Sequence, residues 1–350
     1  MQNNTEILSK DYAKAALDLT AELLKIDSPT GFTARAAEWL IGAFKNLGFD
    51  ARLTNKGAVA VDLGGEGEGL ALLAHTDTLG GMVAEIKGNG RLRLTALGGM
   101  RAENGECENV KVYTRSGRVI EGTLQLMNPS VHVNADYADT KRSFNTTEVV
   151  LDEIVSSAAD CRALGIEVGD IVAFDPRTRI TESGFIKSRF LDDKLSVGIL
   201  LSLARMVRDG SVKLSRRVYL YVTVYEEVGH GGSIALPEGV TEAISVDMGC
   251  VGDGVSCTER QVSICAKDSG GPYSYELVGK LIDAAKRTGA DYAVDVYPMY
   301  GSDVEATLKT GADIRHGLIG SGVFASHGYE RSHIDGVYNT LLLIKSYIEE

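Results

Sequence analysis

Apolar residues along the 350-residue chain follow helical spacing in some segments and form short uninterrupted runs in others. Near the N-terminus, apolar positions through Leu17 and Leu24 predict one amphipathic helix. A second helical pattern follows Thr33, runs through Trp39 and stops at Gly48, where glycine is favoured just past a helix end. The chain is therefore predicted to open with two helices.

Runs of about four to eight residues that are apolar on both faces are typical of buried strands in a helix-covered sheet. Two such runs, 58–63 and 70–74, follow the first helices. After Leu191 helical and strand patterns alternate again. The elements predicted there are a helix through Leu195 and Val207, strands at 218–225 and 243–248, a helix between Pro272 and Gly289, and a last helix after Asp335.

The segment between residues 82 and 185 has a different pattern. RLRLTAL alternates with a period of two, and NVKVYTRSGRVIEGTLQLM indicates a strand, a Ser-Gly turn and a second strand. Helix and strand patterns on both sides of this stretch indicate one discontinuous α/β domain, residues 1–84 and 186–350, with a β-rich, barrel-like domain inserted at 85–185. The predicted fold class is α/β, with a mixed sheet sandwiched by helices.

Charge and composition exclude two classes of partner. Lys and Arg number 36 against 48 Asp and Glu, so the formal net charge is −12, whereas nucleic acid and anionic membranes require a positive surface. No window approaches about 18 uninterrupted apolar residues, so no membrane span is expected. The five cysteines show no C-x-x-C spacing, and the N-terminal residues lack the pattern of a signal peptide. These features favour a reducing, cytoplasmic location.

Candidate chemistry lies where polar residues directly follow apolar strand runs, because open α/β sheets bind ligands at the carboxyl ends of their strands. The run 70–74 is followed by His75 and, two residues later, by Asp77. Residues i and i+2 of a strand point to the same side, so Asp77 can accept the second ring N–H of His75. That arrangement fixes the tautomer of a metal-binding histidine.

A pair of acids, Glu226 and Glu227, follows the strand run 218–225. Adjacent strand residues face opposite ways, so both carboxylates can reach one site only if the strand ends before them. A turn at residues 228–229 would remove the constraint. One carboxylate could then bind a metal while its neighbour holds the attacking water.

Three further segments add possible ligands. Asp192 and Asp193 precede an apolar helix, where one can cap the helix while the other reaches the site. Asp247 ends its strand, and His327 and His333 follow a late apolar run. Taken singly, each motif also has a structural explanation, such as a strand-end histidine, solvated acids or an N-cap. Together they form a nitrogen and oxygen ligand set that suits zinc, cobalt or manganese, and a shared carboxylate would make a two-metal hydrolase.

The order H-T-D, L-D-D, E-E-V-G, a strand-end Asp and a late His resembles the dinuclear metallo-aminopeptidases of the tetrahedral (TET) and glutamyl-aminopeptidase type, peptidase family forty-two. The resemblance covers nearly the whole chain. As in that family, the β-rich insert lies between the first His and L-D-D, whereas in related carboxypeptidases and deacylases the extra domain follows the Glu pair. The resemblance implies a zinc-exopeptidase-like sheet, hydrolysis of N-terminal residues from short peptides, and a homo-oligomer, from dimer to dodecamer, built through the insert.

The resemblance also implies a role for each matching residue. The implied metal ligands are His75 and Asp247 for one ion, Glu227 and His327 for the other, and Asp192 as the bridge between them. Glu226 would be the general base, and Asp77 would orient His75. The implied cofactors are two divalent metal ions per chain, zinc in the first place and cobalt or manganese as alternatives.

Some positions depart from that family's pattern or have two interpretations. HTDTLG stands where H-x-D-E-I-G is more common, LDDK stands where L-D-D-R is, and His230 follows E-E-V-G. These departures leave the specificity pocket open, and His230 can line it or be structural. Asp303 can contact the substrate, support a ligand or cap a helix. His333 competes with His327 as the late ligand.

Other functions remain open from the sequence. A metal-dependent deacylase or carboxypeptidase of a related family would use similar ligands. A glycoside hydrolase with a carboxylate pair would leave H-T-D and the late His without a role. A non-catalytic scaffold would keep the fold and use the insert for assembly. The preferred N-terminal residue and the physiological metal do not follow from the sequence.

Overall fold

The computed structural model describes residues 8–350 of the chain. Residues 1–7, on which the expectation of no signal peptide partly rests, lie outside the described residues. The helices are α1 (Lys10–Leu24), α2 (Ala34–Asn46), α3 (Ala102–Gly105), α4 (Ala158–Ala163), α5 (Leu191–Arg208), α6 (Tyr275–Thr288), α7 (Asp303–Leu308) and α8 (Ile334–Ile348).

Within residues 8–350, eighteen strands accompany these helices. Those before α5 are β1 (Ala51–Leu53), β2 (Val59–Gly64), β3 (Gly69–His75), β4 (Gly80–Ile86), β5 (Leu92–Leu97), β6 (Asn109–Tyr113), β7 (Val119–Leu126), β8 (Thr147–Leu151), β9 (Ile171–Phe174), β10 (Arg179–Ile180) and β11 (Phe185–Ser188). Those after it are β12 (Arg217–Thr223), β13 (Val240–Val246), β14 (Gly249–Val251), β15 (Val262–Lys267), β16 (Tyr292–Val296), β17 (Arg315–Phe324) and β18 (Glu330–His333).

A large mixed sheet forms the centre of the α/β part. Its main path has the strand order β1-β2-β12-β3-β13-β17-β18-β11-β10, and β14 and β15 join it through β17. β12 and β13 lie on either side of β3 and run parallel to it. All seven residues of β3 are buried, which is typical of a strand covered on both faces. The predicted mixed α/β sheet is confirmed.

The predicted N-terminal helices are present, and one later helix starts at a different residue than expected. α2 ends just before Gly48, whose φ of 87° suits only glycine without strain, and α1 packs against α5. α6 begins at Tyr275, because the Ser274 side chain accepts a backbone N–H of its first turn. Pro272, expected at the helix start, instead lies before it in a bridge to β15.

The inserted segment folds into a closed barrel with the strand order β4-β5-β8-β7-β6-β9. Exposed or half-buried residues alternate with buried ones along β7, as expected for a strand with one face on a core. The barrel begins with β4 at Gly80, before the predicted boundary at residue 85, and its last strand ends at Phe174. The barrel-like insert is confirmed as an architecture, and the domain limits 1–84, 85–185 and 186–350 stay a prediction.

The described part of the chain contains neither a candidate membrane-spanning helix nor a disulfide. Within residues 8–350, no helix is both long and apolar enough to cross a membrane. The five cysteines Cys107, Cys161, Cys250, Cys257 and Cys265 are all free. Within residues 8–350, no disulfide therefore links the barrel to the α/β part.

Candidate metal centre

The carboxyl ends of three adjacent parallel strands meet at one edge of the large sheet. β3 ends at His75, which pairs in register with Thr223 at the end of β12. β13 lies on the other side of β3 in the same direction. Side chains that follow parallel strands emerge at the same edge. His75 is therefore joined there by Glu226, Glu227 and Asp247.

Asp192 lies between the two histidines of the cluster. Its Oδ1 is 3.1 Å from His75 Nε2, and its Oδ2 is 3.5 Å from His327 Nε2. The residue belongs to the first turn of α5, where Asp192 and Asp193 have non-helical backbone angles. One carboxylate that faces two imidazoles with separate oxygens has the arrangement of a bridging ligand.

Glu226 and Glu227 both face the cluster although they are adjacent in sequence. β12 ends before the pair, and the two residues lie in a 3₁₀ turn that closes at Gly229 with φ of 82°. Glu226 Oε2 is 3.7 Å from His75 Nε2, and Glu227 Oε2 is 3.6 Å from His327 Nε2. The turn expected from the sequence is confirmed, and strand alternation does not separate the two carboxylates.

Asp77 contacts His75 through a different atom than the sequence suggested. His75 Nδ1 is 2.9 Å from the Asp77 backbone carbonyl oxygen and 3.6 Å from the carboxylate Oδ1. β3 ends at His75, so strand geometry does not apply two residues later. The Asp77 carboxylate instead accepts the Thr30 hydroxyl at 2.7 Å and the N–H groups of Glu226 and Glu227 at 3.1 and 3.4 Å. It therefore fixes the turn that carries the acid pair.

Asp247 and Asp193 lie on the His75 side of the cluster. One ligand-type atom from each of His75, Asp193 and Asp247 lies within 4.8 Å of the others. Asp193 Oδ2 accepts the His75 backbone N–H at 3.2 Å. The N-cap position of α5 is Phe190. The oxygens of Asp192 face His75 and His327, and those of Asp193 accept the His75 N–H or lack a partner among residues 8–350. The expectation that one aspartate of this pair is the N-cap is therefore wrong. The first turn is not helical, and Asp193 turns toward His75 instead.

Glu330 is a buried member of the site that the sequence did not identify. Its Oε2 accepts the Asp192 N–H at 3.0 Å, and its Oε1 accepts the His327 N–H at 3.0 Å. One carboxylate thus ties the backbone of the candidate bridge to that of the late histidine. The available signal was weak, because Glu330 is an ordinary acid in YERSH beside two histidines.

The three residues with open interpretations lie in different places. His333 Nδ1 accepts a backbone N–H in the first turn of α8, as its N-cap. His230 is exposed and stacks on Tyr225, with ring centroids 5.0 Å apart. Asp303 is buried in α7, accepts the Thr223 hydroxyl and lines the cavity beside the cluster. Of the two late histidines, His327 is therefore the one in the cluster.

Burial and mutual repulsion perturb the acids of the cluster. Burial raises the pKa of Glu226 and Glu227 well above the usual glutamate value, and neighbouring carboxylates raise it further. Burial and the charge of Asp192 raise the pKa of Asp247 to about 7. Burial opposes ionisation of Asp192 as well, but hydrogen bonds from the two histidines lower its pKa below the usual value. So many buried carboxylates require compensating positive charge.

The residues present fit divalent metal ions. Ligand-type atoms of His75, Asp192 and Glu227 lie within 4.8 Å of one another. Glu227 Oε1 and Asp193 Oδ1 are buried without a hydrogen-bond partner among residues 8–350, although buried polar atoms normally have one. A set of imidazoles and carboxylates without thiolates matches zinc, cobalt or manganese.

A cavity of about 520 Å³ adjoins the cluster. Its wall includes Glu226 and Asp303, together with Met248, Tyr300 and Lys309. This volume lies in the range of small-molecule sites, about 300–1,000 Å³. The cavity therefore offers room for a small substrate directly beside the candidate ligands.

Known proteins are similar to this chain in sequence and in fold. The family model for M42 glutamyl aminopeptidase matches residues 57–343. The protein YhfE of Bacillus subtilis (strain 168) is 41% identical over 338 residues, which cover 96% of this chain and 98% of that protein.

Two solved structures superpose closely on this one. Aminopeptidase APDkam598 from the archaeon Desulfurococcus kamchatkensis has a TM-score of 0.87 at 23% identity, covering 97% of this chain and 96% of its own. The structure of PhTET1-12s, a dodecamer in the asymmetric unit, has a TM-score of 0.83 at 21% identity, covering 95% and 99%. At these identities the two structures show the fold alone.

Proposed function

The chain is an aminopeptidase of the M42 glutamyl aminopeptidase family, and from this premise we propose that it removes N-terminal residues from short peptides with two divalent metal ions. The observation that carries the proposal is the position of Asp192. Its two oxygens lie 3.1 and 3.5 Å from the nearest ring nitrogens of His75 and His327. The ligand set thereby divides into two halves that share one carboxylate, which supports two ions rather than one.

Each half supplies its own imidazole and carboxylate. The proposed ligands are His75 and Asp247 for one ion, Glu227 and His327 for the other, and Asp192 for both. Asp193 is a further candidate on the His75 side, because its buried Oδ1 lacks a partner in the described chain. Zinc is the first expectation, with cobalt or manganese as alternatives. When bound, the ions polarise the scissile carbonyl and lower the pKa of the attacking water.

Glu226 is the proposed general base. Its carboxylate lines the cavity and lies on the His75 side, opposite the contact that Glu227 makes with His327. Burial raises the pKa of Glu226 well above the usual range, which suits a group that takes a proton from water and passes it to the leaving amine. Asp77 supports this role, because its carboxylate accepts the Glu226 N–H at 3.1 Å.

We also propose that the chain forms a homo-oligomer through the insert. The exposed apolar side chains that support this are Met127, Val131, Val133 and Ile154. Burying apolar surface between copies is favourable, and PhTET1-12s, which shares the fold, is a dodecamer. Light scattering at micromolar concentration should give a mass above that of one 37.4 kDa chain. A strictly monomeric species would contradict the proposal. The cytoplasmic location stays a prediction.

The direct test combines metal content with a substrate panel. Chelator-stripped protein is reloaded separately with Zn²⁺, Co²⁺ or Mn²⁺ and assayed on a series of amino-acyl anilides and short peptides. We expect release of N-terminal residues only from reloaded protein, with about two metal equivalents per chain. The panel identifies the preferred residue and metal. Full activity of metal-free protein would contradict the proposal, and chelator-resistant cleavage of a glycan would favour the glycoside hydrolase.

Substitution of the acid pair tests the base separately from the ligands. Glu226→Gln should keep both metals and reduce kcat by about 10²–10⁴-fold, the usual contribution of general base catalysis. Glu227→Gln is the matched comparison, because it should weaken metal binding on the His327 side. Unchanged turnover of Glu226→Gln would remove Glu226 from the base role.

A further inference from the structure

The loop that carries His327 is held by the inserted barrel as well as by the large sheet. Asn104 in α3, between the barrel strands β5 and β6, donates from Nδ2 to the His327 carbonyl oxygen at 2.8 Å. Gly99 lies so close to the imidazole that a Cβ at this position would be 2.5 Å from His327 Nδ1. Two separate contacts from the insert therefore reach the backbone and the ring of one histidine.

His327 needs such support because its backbone conformation is unfavourable. Its φ is 63°, and that of Ala325 is 59°, a region that residues with a Cβ adopt only when the surroundings determine it. The His327 N–H donates to Glu330, and its carbonyl accepts from Asn104. Both polar groups of the peptide backbone are thus fixed, one by the α/β part and one by the insert.

The position of Asn104 follows from the barrel. Ala102 and Gly105, its neighbours in α3, are buried. A Cβ at Gly105 would lie 2.8 Å from the ring of Phe174, and Phe174 is the buried last residue of the barrel strand β9. α3 therefore packs against the barrel core, and any shift of the barrel would move the Asn104 amide with it.

We propose that Asn104 is a positioning residue, through which the inserted barrel completes the His327 half of the metal centre. The inference rests on the proposed function, because it takes His327 as a metal ligand. Asn104 donates to the His327 carbonyl, so the amide acts through the backbone and not on the metal or the substrate. The His75 half belongs to β3 and does not depend on this contact. Loss of the Asn104 hydrogen bond should consequently lower the affinity for the metal ion on the His327 side and leave the affinity for the other ion unchanged.

The test is a titration of Co²⁺ into the chelator-stripped 350-residue chain. Binding is monitored by calorimetry and by the visible absorption of the bound ion. The native chain should bind in two steps, and His327→Ala identifies the step that belongs to His327. Asn104→Ala should lower the affinity of that same step by about 10–100-fold, the usual effect of removing a supporting hydrogen bond. The other step should keep its affinity.

Asn104→Asp separates the hydrogen bond from packing. The carboxylate keeps the size of the amide but has no N–H to donate, and its negative charge by itself would favour a cation. Weaker Co²⁺ binding in Asn104→Asp therefore identifies the lost donor as the cause. Gly99→Ala is a second, independent perturbation, because its Cβ would displace the imidazole and should weaken the same step.

Asn134→Ala is the matched control. Asn134 Nδ2 donates to the Asn128 carbonyl at 2.7 Å within the insert, so its loss removes the same kind of bond elsewhere, and both Co²⁺ steps should stay unchanged. Native-like binding by Asn104→Ala and Asn104→Asp would overturn the inference. Equal weakening of both steps, together with a lower unfolding temperature, would also overturn it. A native chain that binds fewer than two ions would instead contradict the proposed function.

Discussion

The two histidines of the candidate centre lie in different surroundings. His75 is the last residue of the central strand β3 and is 1% exposed, and its backbone N–H donates to Asp193. His327 lies on a loop, its side chain is 40% exposed, and its φ is in the left-handed region. The sheet positions the first imidazole, whereas contacts from Glu330 and Asn104 position the second.

This difference shows that one metal centre can be built in two ways. A strand end needs only a correctly paired sheet, because neighbouring strands determine where its side chain points. A loop needs each of its anchors, and those of the His327 loop are either remote in sequence, as Asn104 is, or, like Glu330, also bound to a remote segment. Asn104 and His327 are 223 residues apart, and Glu330 and Asp192 are 138 apart. The His327 half should therefore be more sensitive than the His75 half to substitutions outside the ligands.

Asp192→Asn should have the largest effect, because Asp192 belongs to both halves. The amide loses the negative charge and one oxygen, so both ions should bind more than about 100-fold more weakly, beyond the usual loss from a supporting residue. Calorimetric titration with Zn²⁺ measures both steps. Asp209→Asn, at the other end of α5, is the control and should bind normally. Weakening of only one step would show that Asp192 does not bridge.

Arg189→Ala should have the next largest effect, on the attachment of the insert. Arg189 donates from Nε and Nη2 to Glu108 at 3.1 and 3.0 Å, and both side chains are 5% exposed. Removing one partner of a buried pair costs about 3–5 kcal/mol. We expect the lower end, because Arg177 Nε lies 2.7 Å from the same carboxylate. Denaturant unfolding measures the change.

The insert provides a matched control for this pair. Arg93 and Glu85 form a more exposed pair within the barrel, 2.8 Å apart, and Arg93→Ala should cost less than about 1 kcal/mol. Metal titration of Arg189→Ala should also show a larger loss of metal affinity in the His327 half than in the His75 half. Equal losses of metal affinity in both halves would mean that the insert does not support the His327 half more than the His75 half.

Glu330→Gln should have an intermediate effect that again differs between the halves. Glutamine keeps one oxygen acceptor but presents an N–H₂ group to the second backbone N–H, so either Asp192 or His327 loses its partner. We expect about 10–100-fold weaker metal binding, with the larger loss on the exposed His327 side. Glu259→Gln, which removes a surface partner of Arg331 in β18, is the control. Native affinity in Glu330→Gln would show that the loop holds without this carboxylate.

His333→Ala should have the smallest effect and separates the two late histidines. His333 caps α8, and loss of a cap typically costs about 0.5–2 kcal/mol of stability. Thermal unfolding should show this loss, while metal content and peptidase activity stay native. His327→Ala is the comparison and should lose one metal ion. Loss of metal in His333→Ala would reverse the assignment of the late ligand.

Much of the scaffold could be predicted from local pattern. The buried runs at β3 and β12 are apolar on both faces, so burial shows directly in the residue types. The start of α6 at Pro272 is wrong, because Pro272 and Ser274 both fit a helix start and only the hydrogen bond at Ser274 decides between them. The Glu226 turn was predicted correctly, since a glycine at 229 permits the required φ.

The residues that hold the ligands in place could not be predicted, because no local sequence pattern marks them. Glu330 and Asn104 are common polar residues, and their importance lies in partners 138 and 223 residues away. For Asp192 and Asp193, the sequence predicts one cap and one site residue without deciding which is which, because capping is the usual role of an aspartate before a helix. The non-helical first turn of α5 directs the Asp193 carboxylate to the His75 backbone, away from a capping position.

The sequence by itself determined the main helices and buried strands, the order of the candidate ligands and the place of the barrel in the chain. These features depend on residue type and on spacing between near neighbours, which the chain carries directly. The tertiary structure decided which late histidine faces Asp192, which atom of Asp77 contacts His75, and how the barrel reaches the His327 loop. Such contacts depend on distances between remote segments, and only the packed fold determines those distances.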